Sequence, residues 1–222
     1  MMGEGQIIIE SAVLYIRKVQ IESSYLLEIE KQLSTQNALY PLQHCEMLTY
    51  TIATGSQSHQ KEGLFRGHMP KMVFVGMVTN KAYNGTRATN PFNFEHFNAN
   101  HVALYKDGSS IPFLALTLVF SKMVCSREFQ VLLQNLELFN RNEEFDITLD
   151  DFIAGGYTLF AFNLTPDLSL TGVCQPYQEG NLRLELKFSE ALRESINVIV
   201  MSIFDGKVEI TKDLNLLVDY KG

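Results

Sequence analysis

The sequence predicts an all-β fold, a sandwich or a barrel closed around one core. Three observations carry this. Residues 182–188, "LRLELKF", alternate without a break, with Leu182, Leu184, Leu186 and Phe188 facing one way and Arg183, Glu185 and Lys187 the other. Comparable runs recur along the chain, separated by Asn-Gly, Asp-Gly and Asn-Pro turn signals. Helical spacing occurs at few places and does not alternate with strands, which disfavours a parallel α/β sheet.

Taken in order, residues 6–21 read as a strand, with Val13, Tyr15, Arg17 and Val19 against Leu14, Ile16, Lys18 and Gln20. Ser23 or Ser24 then caps a short helix on which Tyr25, Leu26, Ile29 and Leu33 form one stripe, and Pro41 closes that segment. Residues 44–54 predict a strand with polar interruptions, and 55–67 a polar loop. Residues 71–79, "KMVFVGMVT", are continuously apolar, as in a strand buried on both faces. After an aromatic loop, residues 96–106 alternate again, and Asp107-Gly108 reverses the chain. Residues 126–139 read as a helix with Phe129, Leu132, Leu133, Leu136 and Phe139 on one stripe. The acidic stretch 143–151 is a loop or short helix, and Gly155-Gly156 ends a helix or turn. Strands follow at 157–164, 181–188 and 196–204, and Asp205-Gly206 predicts a hairpin into 207–210. On the first of these, Phe160 and Phe162 share a face and are expected to point inward. The tally is about eight or nine strands and two short helices. With no internal repeat, low-complexity stretch or linker, residues 1–222 read as one domain.

Bulk properties narrow the function. A chain of this length buries roughly 70% of the surface its unfolded form exposes, so it needs no staples. A net charge of −7 and the absence of a Lys/Arg run argue against direct nucleic-acid binding. Cys45, Cys125 and Cys174 are odd in number, far apart and form no CxxC, a pattern of reduced thiols inside a cell. The start, "MMGEGQIIIESAVLY", does not read as a signal peptide, and no apolar window is long enough for a membrane span. The triplets at Asn84 and Asn163 that match a glycosylation site are therefore taken as chance.

No catalytic or cofactor constellation emerges. His44, His59, His68, His96 and His101 make neither HxH nor HExxH, and His96 and His101 point to opposite faces of a regular strand. Ser56, Ser58 and His59 lie together without a strand-to-helix elbow. Asp146, Asp150 and Asp151 miss the EF-hand spacing and its central glycine, so a solvated acidic loop is expected. No cofactor and no metal are expected.

The distinctive segment is residues 84–97, "NGTRATNPFNFEHF". Asn84 and Gly85 permit a left-handed turn; Pro91 fixes its own φ and pushes Asn90 extended. Phe92, Phe94 and Phe97 then put more aromatic surface into a loop than turn chemistry needs. Three readings fit: a plug over the end of the sandwich, a cover for a neighbouring subunit, or a sugar platform, the last weakened by the absence of Trp.

Three phrases taken together, "YNGTRATNPFNFEHFNANHVALYKDGSSIP", "GYTLFAFNLTPDLS" and "GNLRLELKFSEALRESINVIVMSIFD", resemble the hexon-like major capsid protein of Polinton/Maverick elements and the related adintoviruses. The resemblance runs over residues 7–220. It implies an eight-stranded jelly-roll β-sandwich of two four-stranded sheets, equivalent to the C-terminal half of a double jelly-roll protein. In that family two jelly rolls stand upright in the shell and three copies form a pseudo-hexameric capsomer. The partners implied are further copies of the chain and other capsid proteins, and the location implied is the virion. Leu118-Val119 and residues 122–144 depart from the family pattern, which fits an excised domain, a shortened copy or a domesticated remnant. A jelly-roll module binding carbohydrate or protein without catalysis is the alternative from a different class.

Overall fold

The computed structural model describes residues 8–65, 67–136, 138, 147–165 and 178–219. The chain divides into two compact units: Met1–Ala38 with Ile210–Leu216, and Leu39–Glu209 with Leu217–Gly222.

The first unit holds helix α1 (Ser23–Leu33). Glu22, not a serine, occupies its N-cap position and makes no side-chain cap bond; Ser23 is already helical. Lys31 in the last turn suits the negative end of the helix dipole. No residue of α1 is buried. The strand predicted over residues 6–21 is not present over 8–21, which have no regular structure. Alternation fits side chains to a sheet surface, but a strand also needs a neighbour for its N–H and C=O groups, and no described strand pairs here.

The second unit is a jelly-roll sandwich. One sheet runs β1 (Ala38–Ile52), β8 (Ile196–Ile210), β3 (Met72–Thr79), β6 (Leu159–Asn163), with β9 (Leu216–Asp219) also pairing β8. The other runs β2 (Ser58–Lys61), β7 (Leu182–Phe188), β4 (Ala99–Lys106), β5 (Ser109–Thr117). From β1 to β8, successive strands alternate between the sheets except at the β4–β5 hairpin, the double Greek-key pattern of a jelly roll. Among the described residues a ninth strand, β9, adds to the first sheet beside β8. Its registered pairings are antiparallel.

The core lies between the sheets. Leu182, Leu184, Leu186 and Phe188 of β7 are buried with Phe160 and Phe162 of β6, Val73, Val75 and Met77 of β3, and Val198 and Val200 of β8. On β6, Ala161 is buried as well, so both faces of that strand are covered. β3 is likewise buried along both faces. Helices α3 (Ser126–Asn135) and α4 (Leu149–Ala154) contribute Leu132 and Phe152. Phe139, expected on the α3 stripe, lies outside the described residues, as do Cys174 and Asp146.

Three local expectations are corrected. Pro41 does not close the helical segment; it sits inside β1, which as a terminal strand of its sheet tolerates a missing N–H. The polar loop of residues 55–67 contains β2, whose four residues are held by backbone pairing to β7 rather than by an apolar face. Asp205-Gly206 makes no hairpin. β8 runs straight through, because the Asp205 carboxylate is drawn inward to the buried Lys71 ammonium at 3.4 Å and accepts from Gln43 Nε2 at 3.2 Å. Asp107-Gly108 does form a two-residue hairpin turn, with both φ values positive (50° and 85°), joining Lys106 to Ser109. Cys45 is exposed and Cys125 buried, both free thiols. Among the described residues no helix is long and apolar enough to cross a membrane.

Candidate functional site

The aromatic loop begins where β3 ends. Helix α2 (Asn80–Asn84) is capped by the Thr79 hydroxyl, which accepts from the Ala82 N–H at 3.2 Å, and it closes at Gly85 with φ 81°. Asn84 donates from Nδ2 to Asn80 Oδ1 at 2.8 Å, so its side chain ties off the helix it terminates. A turn at residues 86–89 follows, with the Thr86 and Thr89 hydroxyls 2.6 Å apart. Around Pro91 the chain reverses: Asn90 Oδ1 accepts from the Phe92 N–H at 3.0 Å and the Asn90 carbonyl accepts from the Asn93 N–H at 3.2 Å. This asparagine-headed turn, with proline at its second position, holds Phe92 at the tip, where the ring is 75% exposed.

The next residues turn back to the sandwich. Phe94 donates its N–H to the Gly156 carbonyl at 2.8 Å and accepts at its own carbonyl from Thr158 N–H at 3.2 Å, a parallel bridge beside Tyr157. The Glu95 N–H donates to the Met77 carbonyl of β3 at 3.0 Å. The Phe94 ring packs on Gly76: a Cβ there would meet its Cδ1 at 2.6 Å. Gly156, with φ 84°, faces Asn93 Oδ1 closely enough that a Cβ would collide with it. Two glycines thus admit the two consecutive residues that anchor the loop.

His96 stacks on Phe120 at 3.9 Å between centroids and 11° between planes. Its Nδ1 accepts from the Asn98 N–H at 2.8 Å, which requires an unprotonated nitrogen, and burial lowers its pKa in the same direction. Phe120 continues to Phe152 at 6.4 Å and Phe152 to Phe160 at 6.2 Å, edge to face, so a ladder of rings connects the loop to β6. Phe97 and Asn98 are consecutive left-handed residues, φ 45° and 54°, a conformation that costs a phenylalanine energy and is offset by its packing against the core. Asn98 Nδ2 donates to Glu190 Oε1 at 2.9 Å, and β4 starts.

The loop's rings therefore divide. Phe94 and Phe97 turn inward and Phe92 outward, with Tyr83 and Tyr157 also partly exposed. Sequence reasoning missed Gly76, Gly156, Tyr157 and Phe120 as partners. Only Gly76 carried a signal, as an isolated glycine within an apolar strand, the mark of a close approach.

Two open concavities of mixed polar and apolar lining flank the loop and share Asn93 and Glu95. One, ≈ 460 Å³, is lined by His96, Asn98 and Ile153; the other, ≈ 370 Å³, by Lys81, Asn90 and Glu194. Asn93 Nδ2 donates to Glu95 Oε1 at 2.7 Å, so these two side chains satisfy each other. Among the described residues no three His, Cys, Asp or Glu side chains gather as a cation site requires. Asp151 serves a capping box on α4: its Oδ2 accepts from Thr148 N–H at 2.9 Å and Thr148 Oγ1–H at 2.7 Å.

No family model matches the chain. An uncharacterized protein of Caenorhabditis elegans is 26% identical over 182 residues, 81% of this chain and 43% of that protein. Among solved structures, a chain of the Sputnik virophage cryo-EM structure matches with a TM-score of 0.50 and 12% identity over 82% of this chain and 38% of its own. The mavirus major capsid protein gives a TM-score of 0.45 at 12% identity, over 82% of this chain and 41% of that one. The chain thus spans less than half the length of each of these proteins. At 12% identity the likeness to the Sputnik chain is one of fold.

Proposed function

We propose that this chain is a capsid-type structural subunit, equivalent over residues 1–222 to the C-terminal jelly roll of a double jelly-roll major capsid protein of Polinton/Maverick or adintovirus type. It works by self-association and by contact with other capsid proteins, without catalysis or cofactor. A virion location follows for an active copy, and a truncated or domesticated derivative would keep the fold and part of the interface. The observation that carries this is the strand order, β1-β8-β3-β6 facing β2-β7-β4-β5, together with the fold likeness to the Sputnik chain. The three phrases that resemble the capsid family supply the narrower assignment, and the acidic balance fits a shell wall that does not grip nucleic acid.

In this reading the exposed Phe92 ring belongs to a subunit contact, while Phe94 and Phe97 hold the loop that presents it. The test is multi-angle light scattering at micromolar concentration with negative-stain imaging. A trimeric particle is expected; a strictly monomeric, soluble species overturns the proposal. The flanking concavities, with mixed polar and apolar lining, favour the second reading, a carbohydrate- or protein-binding module. A glycan array positive on the parent and negative on Asn93→Ala would move the assignment there.

A further inference from the structure

Residues 8–21 have the residue pattern of a strand and pair with no described strand. Their apolar side chains stand in solvent, Tyr15 at 90% and Leu14 at 82%, with Val13, Ile16 and Val19 similar. Helix α1 buries nothing. Apolar surface this continuous marks an interaction segment. A chain already alternating as a strand satisfies its backbone most directly at a sheet edge.

The terminal strands of the two sheets differ in what they offer. β2 has only four residues. Arg127 covers β5, donating to the Leu114 and Ala115 carbonyls at 3.0 and 3.2 Å. At β6, Asn135 Nδ2 donates to the Ala161 carbonyl at 2.6 Å. β1 is different. It ends its sheet order, runs 15 residues, and exposes Leu39, Tyr40 and Met47 along its length. At about 3.3 Å per residue β1 extends about 50 Å and residues 8–21 about 46 Å, so the two match in length.

We propose that residues 8–21 of one copy add as an antiparallel strand to the β1 edge of a second copy. The inference rests on the self-associating reading above and adds a second contact surface to the Phe92 loop. The donor segment and the acceptor edge are different surfaces, so the contact is head-to-tail. Such contacts close into a ring when the rotation permits, which a three-copy capsomer supplies. Antiparallel pairing of Ile8 with Ile52 and Ile21 with Leu39 uses all of β1 except Ala38 and sets Tyr15 opposite the exposed Cys45.

The test uses the full chain in two forms. Tyr15→Cys, made with Cys174→Ser, is treated with a short bismaleimide, and the linked peptides are mapped by mass spectrometry. A link from the introduced thiol of one chain to Cys45 of another is expected. Separately, Leu14→Asp with Ile16→Asp is weighed by light scattering, with circular dichroism to check the sandwich. A fall from oligomer to monomer, with the dissociation constant raised about 100-fold and the β spectrum kept, is expected. A parent that is trimeric and stays so in the double variant, or a link formed only within one chain, overturns this inference and leaves self-association standing. A monomeric parent overturns both.

Discussion

Phe92→Ser and Phe94→Ser, two positions apart on one loop, should have opposite effects. A buried phenylalanine covers about 150–250 Å². Phe92 is 75% exposed, so only about 50 Å² of it is removed from water, worth about 1 kcal/mol at ~25 cal/mol per Å². Phe94 is partly buried with its ring on Gly76; burial on the order of 130 Å² makes it worth about 3 kcal/mol. For a chain of this size each kcal/mol moves the melting temperature by about 2–4 °C. Phe94→Ser should therefore melt about 6–12 °C below the parent, and Phe92→Ser within about 4 °C of it. Differential scanning calorimetry reads this difference, and light scattering on the same samples reads assembly. Phe92→Ser is expected to shrink the oligomer while the fold holds. Phe94→Ser melting with the parent, or Phe92→Ser costing as much as Phe94→Ser, would refute the division of the rings into anchor and contact.

Three further outcomes are expected. Phe160→Ala and Phe162→Ala, each emptying a site 1% exposed between the sheets, should cost about 3–5 kcal/mol in urea denaturation; parent-like midpoints would mean that β6 is wrongly placed. Lys71→Met should cost about 3–5 kcal/mol by removing the ammonium that neutralises the buried Asp205 carboxylate, and adding Asp205→Leu should restore most of it; a double variant no better than the single would show that the pair is not the cause. Thr148 holds Asp151 below the usual carboxylate range by side-chain and then backbone hydrogen bonds. A depressed carboxylate pKa adds stability that is full above the unfolded value near 3.9 and is lost as pH falls through the folded one. The stability gap between parent and Thr148→Ala should accordingly be widest at neutral pH and narrow below about pH 4, as thermal melts across pH will show.

Legibility followed the physics of each segment. β7 could be read outright because its leucines alternate against charges. β3 could be read as buried because its apolar run is continuous, and the β4–β5 turn because Asp-Gly readily takes two positive φ values. β2 was hidden because Ser58, His59, Gln60 and Lys61 carry no apolar face, and its pairing to β7 is a backbone affair. The hairpin at Asp205-Gly206 was a false signal because turn chemistry is local, while Lys71, which draws Asp205 inward, lies far back in the sequence. Residues 8–21 show the reverse: the local pattern is there, but among the described residues no strand pairs with them. In the loop, the turns at Asn84-Gly85 and Asn90-Pro91 were visible, but which ring faces inward depends on Gly76 and Gly156, and their spacing from the loop is a fact of the fold.

The Asp107-Gly108 hairpin has a consequence for the order in which the chain folds. β4 and β5 are the one pair of sequence neighbours joined within the four-stranded sheet; β2, β7 and β4 come together only across long stretches of chain. Closing long loops before any pairing rewards them makes such a topology slow, with the local hairpin as the cheapest nucleus. The turn is also where β7 is received: Asp107 N–H donates to the Asn181 carbonyl at 3.0 Å, and Asp107 Oδ1 accepts from the Asn181 N–H at 2.8 Å. Once formed, the hairpin presents a ready bracket for the strand that arrives 74 residues later. Substitutions at Asp107 should then slow refolding more than they speed unfolding, so this turn is where the sandwich starts to assemble.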